Sequence, residues 1–350
     1  MLSFTEAEWK RMQEIAKNRQ DFYEEFFISK KRKGKKRQID APNDELKKFQ
    51  ERILNEFLYK HFVPSVYATG FIKKRSIVDN AAAHVGAQII VKVDLKDFFP
   101  SIKAKKIEEP VFFKKRGELK ERKRRREMAK KRGKGEFSIP EEEYKLSEKE
   151  TKELRKQAKI LTQIVTYPYE KNGGVIDALP QGAPTSPALS NIVCFEMDNI
   201  LAGFAKRNDA VYSRYADDLA FSSGTNKKLN RTVPIIEEIV KKYDFEVNQD
   251  KIRVNRQSPY RRMSVTGLVI NDKVSYGRGR YRIIRAALHN RRMAIKDGEI
   301  PPFNELYWRG KASFIQMFDK KKAQFINDEC DRIVEGIKML KEQKKDDGRQ

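Results

Sequence analysis

The residues best suited to chemistry are three aspartates in two acidic segments that lie far apart in the chain. Asp94 ends the apolar, strand-like run 89–94, and Asp217 and Asp218 close a Tyr-Ala-Asp-Asp segment after a second such run. A carboxylate at a buried strand end is costly unless positive charge lies beside it. Two divalent metal ions would supply that charge, and paired ions catalyse in-line displacement at phosphorus. The aspartates therefore predict a two-metal site for phosphoryl transfer.

Magnesium suits these residues because it prefers oxygen ligands, needs few protein carboxylates and keeps positions for water and substrate phosphates. We expect Asp94 and Asp217 to bind two Mg²⁺ ions. Asp218 would be a third carboxylate, and the backbone carbonyl of Leu95 a further ligand. One ion would lower the pKa of the attacking hydroxyl, and the other would hold the triphosphate and the leaving pyrophosphate. An Asp-Asp pair in a hairpin is often only a turn, so this interpretation depends on Asp94.

The composition indicates that the phosphate belongs to nucleic acid. With 75 Lys and Arg against 50 Asp and Glu, the 350 residues carry a formal net charge of +25. Such an excess suits a polyanionic partner. A basic surface that serves solubility, or nonspecific RNA binding, is the plainer alternative. Charge and aspartates together predict a nucleic-acid polymerase.

The residue pattern is not that of a secreted or membrane-spanning protein. No apolar run approaches the roughly 20 residues of a membrane helix, and the N-terminal residues lack the basic and apolar regions of a secretion signal. Cys194 and Cys330 have no metal-ligand spacing, which favours two free core thiols. We therefore expect a cytoplasmic protein.

The pattern around the aspartates predicts the elements that position them. Strands are expected at 89–94, 211–215, 219–223 and 245–254, and helices at 186–204 and 234–242. In chain order these segments form the β-α-β-β-α-β unit of a ferredoxin-like sheet with helices packed on one side. Strands that are distant in sequence can be neighbours in such a sheet. The two acidic segments can therefore converge.

Further helices are expected before and after this sheet. Amphipathic spacing predicts a helix at 44–60, and Ser76 with Asp79 forms a capping box that starts another, running through residues 80–84. After residue 271, helices are expected at 279–295, 303–318 and 320–342. A small basic bundle of this kind suits a clamp on a duplex, and it leaves too few residues for an RNase H domain.

The segment 114–134 has an extreme charge content. It carries 13 Lys or Arg against three Glu with almost no apolar periodicity, and an acidic stretch follows at 136–150. Such charge blocks are usually solvated and partly disordered. A flexible basic loop can also grip RNA, so both interpretations stay open.

Three further features are candidates for substrate contact. Phe99, five residues after the first aspartate, could lie against the sugar of an incoming nucleotide and exclude a 2′-hydroxyl, or could belong to the core. Gln181 and Gly182 lie in a stiff loop, 178–187, where glycine lets backbone approach a substrate closely. Lys251 could neutralise the triphosphate or protonate pyrophosphate, although most lysines in so basic a chain do neither.

These segments together resemble the A, B and C motifs of reverse transcriptases. The matching residues are Asp94 with Phe99, the Leu-Pro-Gln-Gly-Ala-Pro-Thr-Ser-Pro loop at 179–187, and Tyr-Ala-Asp-Asp at 215–218. Two more elements are similar to those of bacterial retron reverse transcriptases, namely Asn-Ala-Ala-Ala-His at 80–84 and Val-Thr-Gly at 265–267. The resemblance extends from about residue 37 to 289, and the motifs are highly specific in combination.

The resemblance implies a right-hand α+β polymerase fold. Its fingers would span 1–88, its ferredoxin-like palm 89–271, its helical thumb 272–342, and a polar tail 343–350. The charged insertion at 114–147, between motifs A and B, looks longer and more charged than is usual in the family. It is therefore expected to contact the RNA or an effector.

The resemblance also implies an RNA-directed DNA polymerase. Members of this family copy part of a dedicated structured non-coding RNA into multicopy single-stranded DNA. They prime from the 2′-hydroxyl of a guanosine in that RNA, and they typically work with a separately encoded effector in antiphage defence. The expected partners of this chain are therefore its cognate RNA, the DNA product, dNTPs and an effector protein.

Several residues take expected roles from the resemblance. Lys73, Lys74 and Arg75 fall where the family places residues that contact phosphate. The residues expected to bind the RNA are Asn80, His84, Val265, Thr266, Gly267 and Arg285. Asn80 and His84 lie four residues apart and share a helix face, so they could fix the fold instead.

Two alternatives compete with this interpretation. An abortive-infection or group II intron-like reverse transcriptase would keep the chemistry and change the system, but the elements at 80–84 and 265–267 disfavour it. A basic RNA-binding scaffold with a degenerate palm would have no catalytic role, and the intact aspartates argue against it. An adjacent structured RNA with inverted repeats would favour the retron interpretation.

Overall fold

The computed structural model describes residues 2–29, 36–133, 135–171, 173–258 and 262–347. Its α-helices, in chain order, are α1 (Glu6–Lys17), α2 (Asp44–Ile53), α3 (Tyr59–His61), α4 (Ile77–Ala82), α5 (Phe98–Ser101), α6 (Lys105–Ile107), α7 (Lys115–Arg132), α8 (Glu141–Tyr144), α9 (Glu148–Val165), α10 (Ser186–Val193), α11 (Phe195–Arg207), α12 (Val233–Lys242), α13 (Arg278–Lys296), α14 (Glu305–Gln316) and α15 (Lys320–Asp347). Its strands are β1 (Tyr23–Ser29), β2 (Lys36–Pro42), β3 (Ile89–Asp94), β4 (Tyr167–Lys171), β5 (Gly174–Ala178), β6 (Val211–Tyr215), β7 (Asp218–Ser223), β8 (Arg253–Arg256), β9 (Ser264–Val265) and β10 (Leu268–Val269).

A four-stranded antiparallel sheet with the order β6-β7-β3-β8 forms the centre of the molecule. In chain order these strands are the second, third, first and fourth of the unit, which is the arrangement of a ferredoxin-like sheet. The predicted topology is confirmed, with α11 between the first two strands and α12 between the last two. The nearly continuous apolar sequence of β3 suits its interior position, because it is covered on both faces.

Alternate residues of this sheet enter two different cores. Val91 and Val93 of β3 pack in the main core with Phe221 of β7. Ile90 lies on the opposite face, in a smaller core that also includes residues of α4 and of the β9–β10 hairpin. Asp94 follows Ile90 by four residues, so the alternation along a strand places its carboxylate on this second face.

The predicted strand 245–254 is wrong over most of its length. Arg253–Arg256 forms β8, whereas Gln249–Lys251 forms a 3₁₀ turn. The three residues at 248–250 are Asn, Gln and Asp, and Asn and Asp favour turns because their side chains can bond to nearby backbone. This turn carries Lys251 to the end of β3.

The other predicted elements of the N-terminal half and palm are confirmed with small changes. The helix expected at 44–60 is α2, a π-helical turn (Leu54–Leu58) and α3. Ser76 and Asp79 form the expected capping box at the start of α4. The helix expected at 186–204 is divided at Cys194 into α10 and α11.

Backbone hydrogen bonds join the N-terminal part of the chain to the palm. The amide of Asp40 in β2 donates to the carbonyl of Gln181 (2.8 Å), and the amide of Thr69 donates to the carbonyl of Arg214 (2.8 Å). Ala68 also forms a parallel bridge with Arg214 beside the edge strand β6. These contacts hold the fingers and the palm together.

The charged insertion is largely helical in its described residues, so the expectation of a partly disordered loop is wrong. α7 runs for 18 residues and ends at Gly133, which has the left-handed backbone (φ 60°) that often closes a helix. Ion pairs with the acidic residues that follow hold it, including Arg124 with Glu150 (2.5 Å). Sequence periodicity could not reveal this helix because it has no apolar stripe, and its buried residues are Arg116 and Ala129.

The three C-terminal helices form a bundle with its own core, as predicted. Ile284, Leu288, Trp308 and Ile326 belong to this core. α15 continues to Asp347, so most of the expected polar tail is helical, and residues 348–350 lie outside the described part. None of the helices in the described part combines the length and apolar character required to cross a bilayer.

Candidate active site

The register of β3 and β7 brings the acidic segments together. Asp94 at the end of β3 is paired directly with Asp218 at the start of β7. The amide of Leu95 donates to the carbonyl of Asp217 (2.9 Å), which fixes the adjoining turn against the end of β3. Side chains paired directly across antiparallel strands have Cβ atoms about 4.5–5.5 Å apart. The convergence expected from the topology is therefore present.

Burial and mutual repulsion disfavour the ionised forms of the carboxylates at this site. Burial, together with the charges of Asp217 and Asp94, raises the pKa of Asp218 to about 6. Burial also raises the pKa of Asp217, with the charge of Asp94 acting in the same direction. Carboxylates whose ionised forms are disfavoured in this way are stabilised by a nearby cation. The site is thus electrostatically suited to a divalent ion.

Lys251 provides a positive charge in direct contact with Asp94. Its Nζ donates to both carboxylate oxygens of Asp94, at 2.7 and 2.8 Å. The structure places this lysine on a predicted metal ligand, and its expected role beside the triphosphate stays a prediction. The 3₁₀ turn that interrupts the predicted strand makes this contact possible.

The donor set fits magnesium without forming a complete cage. Within the described residues, no three acidic, histidine or cysteine side chains surround one metal position. Asp94 and Asp218 at the paired strand ends, with Asp217 in the adjoining turn, nevertheless offer only oxygen donors. Magnesium usually binds through one or two carboxylates together with water and substrate phosphates, so a partial set of this kind suits it.

The turn that carries Asp217 is backed by a close backbone contact. Ala216 has a left-handed backbone (φ 57°), which is unusual for a residue with a side chain. Gly70 packs against it so closely that an added Cβ would lie 2.6 Å from the Ala216 nitrogen. The Asn191 Nδ2 donates to the carbonyl of Gly70 (3.0 Å) and holds this approach in place.

Beneath the turn, a buried ion pair completes the support. Arg214 and Asp198 have fully buried side chains joined by two parallel bonds of 2.7 Å. Arg214 also donates to the carbonyl of Ala216 (3.2 Å) and to Asn191 Oδ1 (3.0 Å), and the Tyr212 hydroxyl donates to Asp198 (2.8 Å). Sequence reasoning missed this pair. The available signal was an arginine within the otherwise apolar strand that leads into Tyr-Ala-Asp-Asp.

A cavity of about 510 Å³ opens in front of the aspartates and joins two predicted motifs. Asp94, Asp218 and Lys251 line one side, and Thr266 and Gly267 line the other. The latter two form the turn of the β9–β10 hairpin with positive φ angles of 45° and 83°. The Val-Thr-Gly element therefore borders the same space as the carboxylates.

The neighbours of this hairpin fix its position. Thr266 Oγ1 donates to the carbonyl of Ile77 (3.2 Å), and Arg280 Nη1 donates to the carbonyl of Gly267 (2.6 Å). Val265 packs in the smaller core and is only 1% exposed. Its side chain is thus structural, and the turn residues are the part that nucleic acid can reach.

Asn80 and His84 occupy a buried hydrogen-bond network. Asn80 Oδ1 accepts from the hydroxyls of Thr69 and Ser213, and His84 lies 2.7 Å from Ser213 through Nε2 and from Ser222 through Nδ1. The Ser213 proton is donated to Asn80, so His84 Nε2 carries a proton and Nδ1 accepts from Ser222. Burial lowers the pKa of His84 to about 4. These contacts support the fold-fixing alternative, and His84 is too buried to contact RNA.

The predicted nucleotide-contacting residues of the loop and motif A lie where fingers meet palm. The ring of Phe99 is 5.9 Å from that of Phe71 and is partly buried. Gln181 accepts the amide of Asp40, and an added Cβ on Gly182 would lie 2.7 Å from the Asp40 carbonyl. The close approach that glycine permits is therefore made to the fingers.

The basic residues of the fingers and thumb have separate environments. Lys73 lies over the ring of Tyr59 (4.5 Å), and Arg75 donates to two carbonyls of its own loop. Lys74 is exposed and has a positive φ of 65°. Arg285 lies over the Phe325 ring (5.7 Å) on α13. The first three are consecutive in the fingers, whereas Arg285 lies on a helix of the thumb.

Arg37 is a further site residue that sequence reasoning did not identify. It lies on β2 in the fingers, and its positive charge opposes the burial that raises the pKa of Asp217. The available signal was its position in a basic strand before motif A.

Comparison with known proteins gives a consistent result. A family model described as "Reverse transcriptase (RNA-dependent DNA polymerase)" matches residues 138–270, which include Asp217 and Asp218 but not Asp94. "Retron Mx162 reverse transcriptase" of Myxococcus xanthus is 34% identical over 310 residues, covering 84% of this chain and 57% of the relative. "Retron Ec86 reverse transcriptase" of Escherichia coli is 33% identical over 301 residues, covering 85% of this chain and 77% of the relative.

A solved structure of telomerase from Candida albicans in complex with a telomeric RNA fragment also aligns with this chain. It covers 90% of this chain and 61% of that chain with 12% identity. Its TM-score is 0.43.

Proposed function

The chain belongs to the retron reverse transcriptase family, and from this premise we propose that it is an RNA-directed DNA polymerase. The observation that carries the proposal is the pairing of Asp94 with Asp218 across β3 and β7, with Asp217 in the adjoining turn. Convergent carboxylates beside an open cavity are what two-metal phosphoryl transfer requires. Family membership adds the expectation that the template is RNA.

The metal ligands would be Asp94, Asp217 and the Leu95 carbonyl, with Asp218 as an additional carboxylate. Bound Mg²⁺ ions would activate the attacking hydroxyl and stabilise the leaving pyrophosphate. Lys251 balances the charge of Asp94 in the structure, and from the same position it can face a triphosphate. The Arg214–Asp198 pair keeps the catalytic turn in its strained conformation.

We further propose positions for the substrates. Phe99, Gln181 and Gly182 would border the incoming nucleotide, and Phe99 would exclude a 2′-hydroxyl from the sugar position. Lys73, Lys74 and Arg75, which are all exposed, would contact phosphates. The hairpin turn of Thr266 and Gly267, together with Arg285 of the thumb, would contact the RNA.

The system around the enzyme is proposed from the resemblance of its motifs to retrons. The chain would copy part of a cognate structured RNA into multicopy single-stranded DNA and prime from an RNA 2′-hydroxyl. A separately encoded effector would complete an antiphage defence system in the cytoplasm. The names of the relatives, which identify them as retron reverse transcriptases, support the retron assignment.

The deciding experiment is to express the gene with its flanking DNA, purify the protein and analyse its nucleic acid. We expect a discrete DNase-sensitive species joined to RNase-sensitive material. In the Asp217→Ala variant the DNA should be absent while RNA binding is largely kept, because only the metal ligand is removed. DNA synthesis by that variant would refute the metal assignment. RNA alone from both proteins would favour the RNA-binding scaffold.

A further inference from the structure

The charged insertion has a surface that the polymerase site does not explain. α7 contains 11 Lys or Arg and three Glu in 18 residues. The helix lies between motifs A and B in sequence, but none of its residues lines the catalytic cavity. The charges of α7 therefore have no role in lining this cavity.

The acidic residues that follow α7 neutralise one side of it. Arg124 pairs with Glu150 and Arg132 with Glu143, each at 2.5 Å. Arg125 Nε donates to the carbonyl of Glu136 (2.5 Å). These three arginines are thus paired within the insertion itself.

A second set of cations faces solvent. This outer stripe consists of the exposed side chains of Arg122, Lys123, Arg126, Lys130 and Lys131. Residues four apart on a helix share a face and rise by about 6 Å. Arg122, Arg126 and Lys130 therefore form a row of positive charges along one side of an 18-residue helix, with Lys123 beside the row and Lys131 further round the helix. Such a row suits the backbone of a nucleic-acid strand.

Acidic residues near the outer stripe do not neutralise its positive charge. Arg126 pairs with Glu136 (3.0 Å), and Lys123 lies 3.8 Å from Glu127. All four side chains are at least 40% exposed. Exposed pairs of this kind contribute little and are easily exchanged for a stronger anionic partner.

An exposed aromatic ring lies beside the stripe. Phe137 is 91% exposed, an extreme value for this residue type. The guanidinium of Arg125 lies over its ring at 4.8 Å and also over that of Tyr144 at 5.1 Å. Single-stranded nucleic acids bind by stacking their bases on such rings while cations hold the phosphates.

We propose that the outer stripe and Phe137 form a binding site for a single strand of nucleic acid. Phosphates would lie along the stripe, and one base would stack on the open face of Phe137. The inference rests on the proposed function in taking this strand from the RNA or its DNA copy. A protein partner is disfavoured because charged residues are depleted at the centre of protein interfaces, whereas here cations surround a single ring.

The first test measures binding of fluorescent 20-nucleotide oligouridylate and oligothymidylate at several salt concentrations. The triple variant Arg122→Gln/Arg126→Gln/Lys130→Gln should bind at least about tenfold more weakly near 100 mM salt. The slope of log affinity against log salt should fall by about 2, since each lost phosphate contact in a single strand removes about 0.7. Stronger binding of uridylate assigns the site to RNA, and stronger binding of thymidylate assigns it to the DNA copy.

The matched control removes the same charge elsewhere. Lys10→Gln/Lys47→Gln/Lys48→Gln alters exposed positions of α1 and α2 and should change affinity by less than about twofold. An equal loss in both triple variants, or no loss in either, would overturn the stripe as a site. Either result would mean that only the overall positive charge of the protein contributes to binding.

The ring is tested by two substitutions at one position. Phe137→Leu keeps an apolar side chain without an aromatic face and should weaken binding by about tenfold, which matches the loss of one stacked base. Phe137→Tyr keeps the face and should bind within about twofold of the original protein. Wild-type affinity in Phe137→Leu would overturn the stacking contact, as expected if the ring instead docks a protein.

Catalysis is measured separately on a preformed RNA template with an annealed DNA primer. All insertion variants should extend this primer at the rate of the unaltered protein, because the carboxylates are untouched. Failure of the unaltered protein to extend it would refute the proposed polymerase, while the oligonucleotide titrations would still decide the fate of the insertion surface.

Discussion

The Arg214–Asp198 pair is the residue-scale feature with the clearest energetic consequence. Both side chains are fully buried, so each charge depends on the other for compensation. Removing one member of a buried pair costs more than replacing both with apolar residues, because the remaining charge stays desolvated. The pair also holds the Ala216 carbonyl, so its loss reaches the catalytic turn.

We predict that Asp198→Asn lowers the free energy of unfolding by about 3–5 kcal/mol, because it leaves Arg214 charged and unpaired. Urea denaturation measures this change. The double variant Arg214→Met/Asp198→Leu should be more stable than Asp198→Asn. It should be less active than the unaltered protein, because the turn loses its support. The control Glu45→Gln breaks an exposed pair with Arg11 (2.7 Å) and should cost less than about 1 kcal/mol. A similar cost for both single variants would contradict this account.

His84 predicts an acid-dependent loss of stability. Burial lowers the pKa of His84 from 6.5 to about 4 in the folded protein. Between pH 6.5 and about 4, His84 therefore binds a proton more readily in the unfolded chain than in the folded protein. The contribution of neutral His84 is fully present above pH 6.5 and is lost as pH falls through about 4, with a limit of about 3 kcal/mol.

Urea denaturation between pH 4 and 8 should show this difference when the protein is compared with His84→Gln. The variant should be less stable at pH 7, since it loses hydrogen bonds to two serines. Its stability should then fall less steeply on acidification. His289→Gln, at an exposed position of α13, is the matched control. Parallel pH profiles for the protein and His84→Gln would show that His84 titrates normally.

At the scale of elements, two glycines let the fingers approach the palm. Gly182 lies against the Asp40 carbonyl, and Gly70 lies against the Ala216 nitrogen. Both contacts involve backbone atoms on each side, so an added side chain cannot be accommodated by a rotamer change. The loop before α10 and the segment before α4 are therefore fitted to their partners at backbone distance.

Gly70→Ala should lower kcat by about 10²-fold while RNA affinity changes little, because the new Cβ pushes the catalytic turn. Single-turnover primer extension and RNA titration separate the two effects. Gly203→Ala in α11 is the control, since an added Cβ there meets no atom within 4 Å. It should leave kcat unchanged and slightly stabilise the helix. Unaltered kcat in Gly70→Ala would show that the turn adapts.

At this scale, the sequence predicted the elements that form by burying an apolar face and missed those that do not. The palm strands and thumb helices follow apolar periodicity, so their order and their approximate bounds could be predicted. α7 has no such periodicity, since its buried residues are only Arg116 and Ala129. The strand predicted at 245–254 failed because its apolar residues are interrupted by a turn at Gln249–Lys251.

The site was predictable to the extent that backbone topology places its residues. Asp94 and the Asp217–Asp218 turn converge because the strands pair in the ferredoxin-like order. Arg214 escaped prediction because an isolated arginine in a strand usually lies at the surface. Arg37 escaped because its proximity to Asp217 arises from how the fingers fold over the palm. The spacing of residues in the sequence does not indicate that the charge of Arg37 acts on Asp217.

At the scale of the whole molecule, the net charge of +25 should dominate RNA affinity. We predict a linear fall of log affinity with log salt, with a loss of about 10³–10⁵ between 50 and 200 mM if 6–10 phosphates are contacted. Filter binding with the purified RNA measures the slope. Asp217→Ala should give the same slope, since it removes no cation. A slope near zero would mean that charge is not the main source of affinity.

The backbone bonds between fingers and palm also have a consequence for how the chain is made. Asp40 and Thr69 emerge from the ribosome long before Gln181 and Arg214, the residues whose carbonyls they bind. Contacts of such long sequence separation form late and slow folding, because a large loop must close first. The fingers therefore stay undocked until most of the palm has been translated. During that interval the nascent chain displays basic residues without a finished active site, so RNA capture during synthesis can precede catalytic competence.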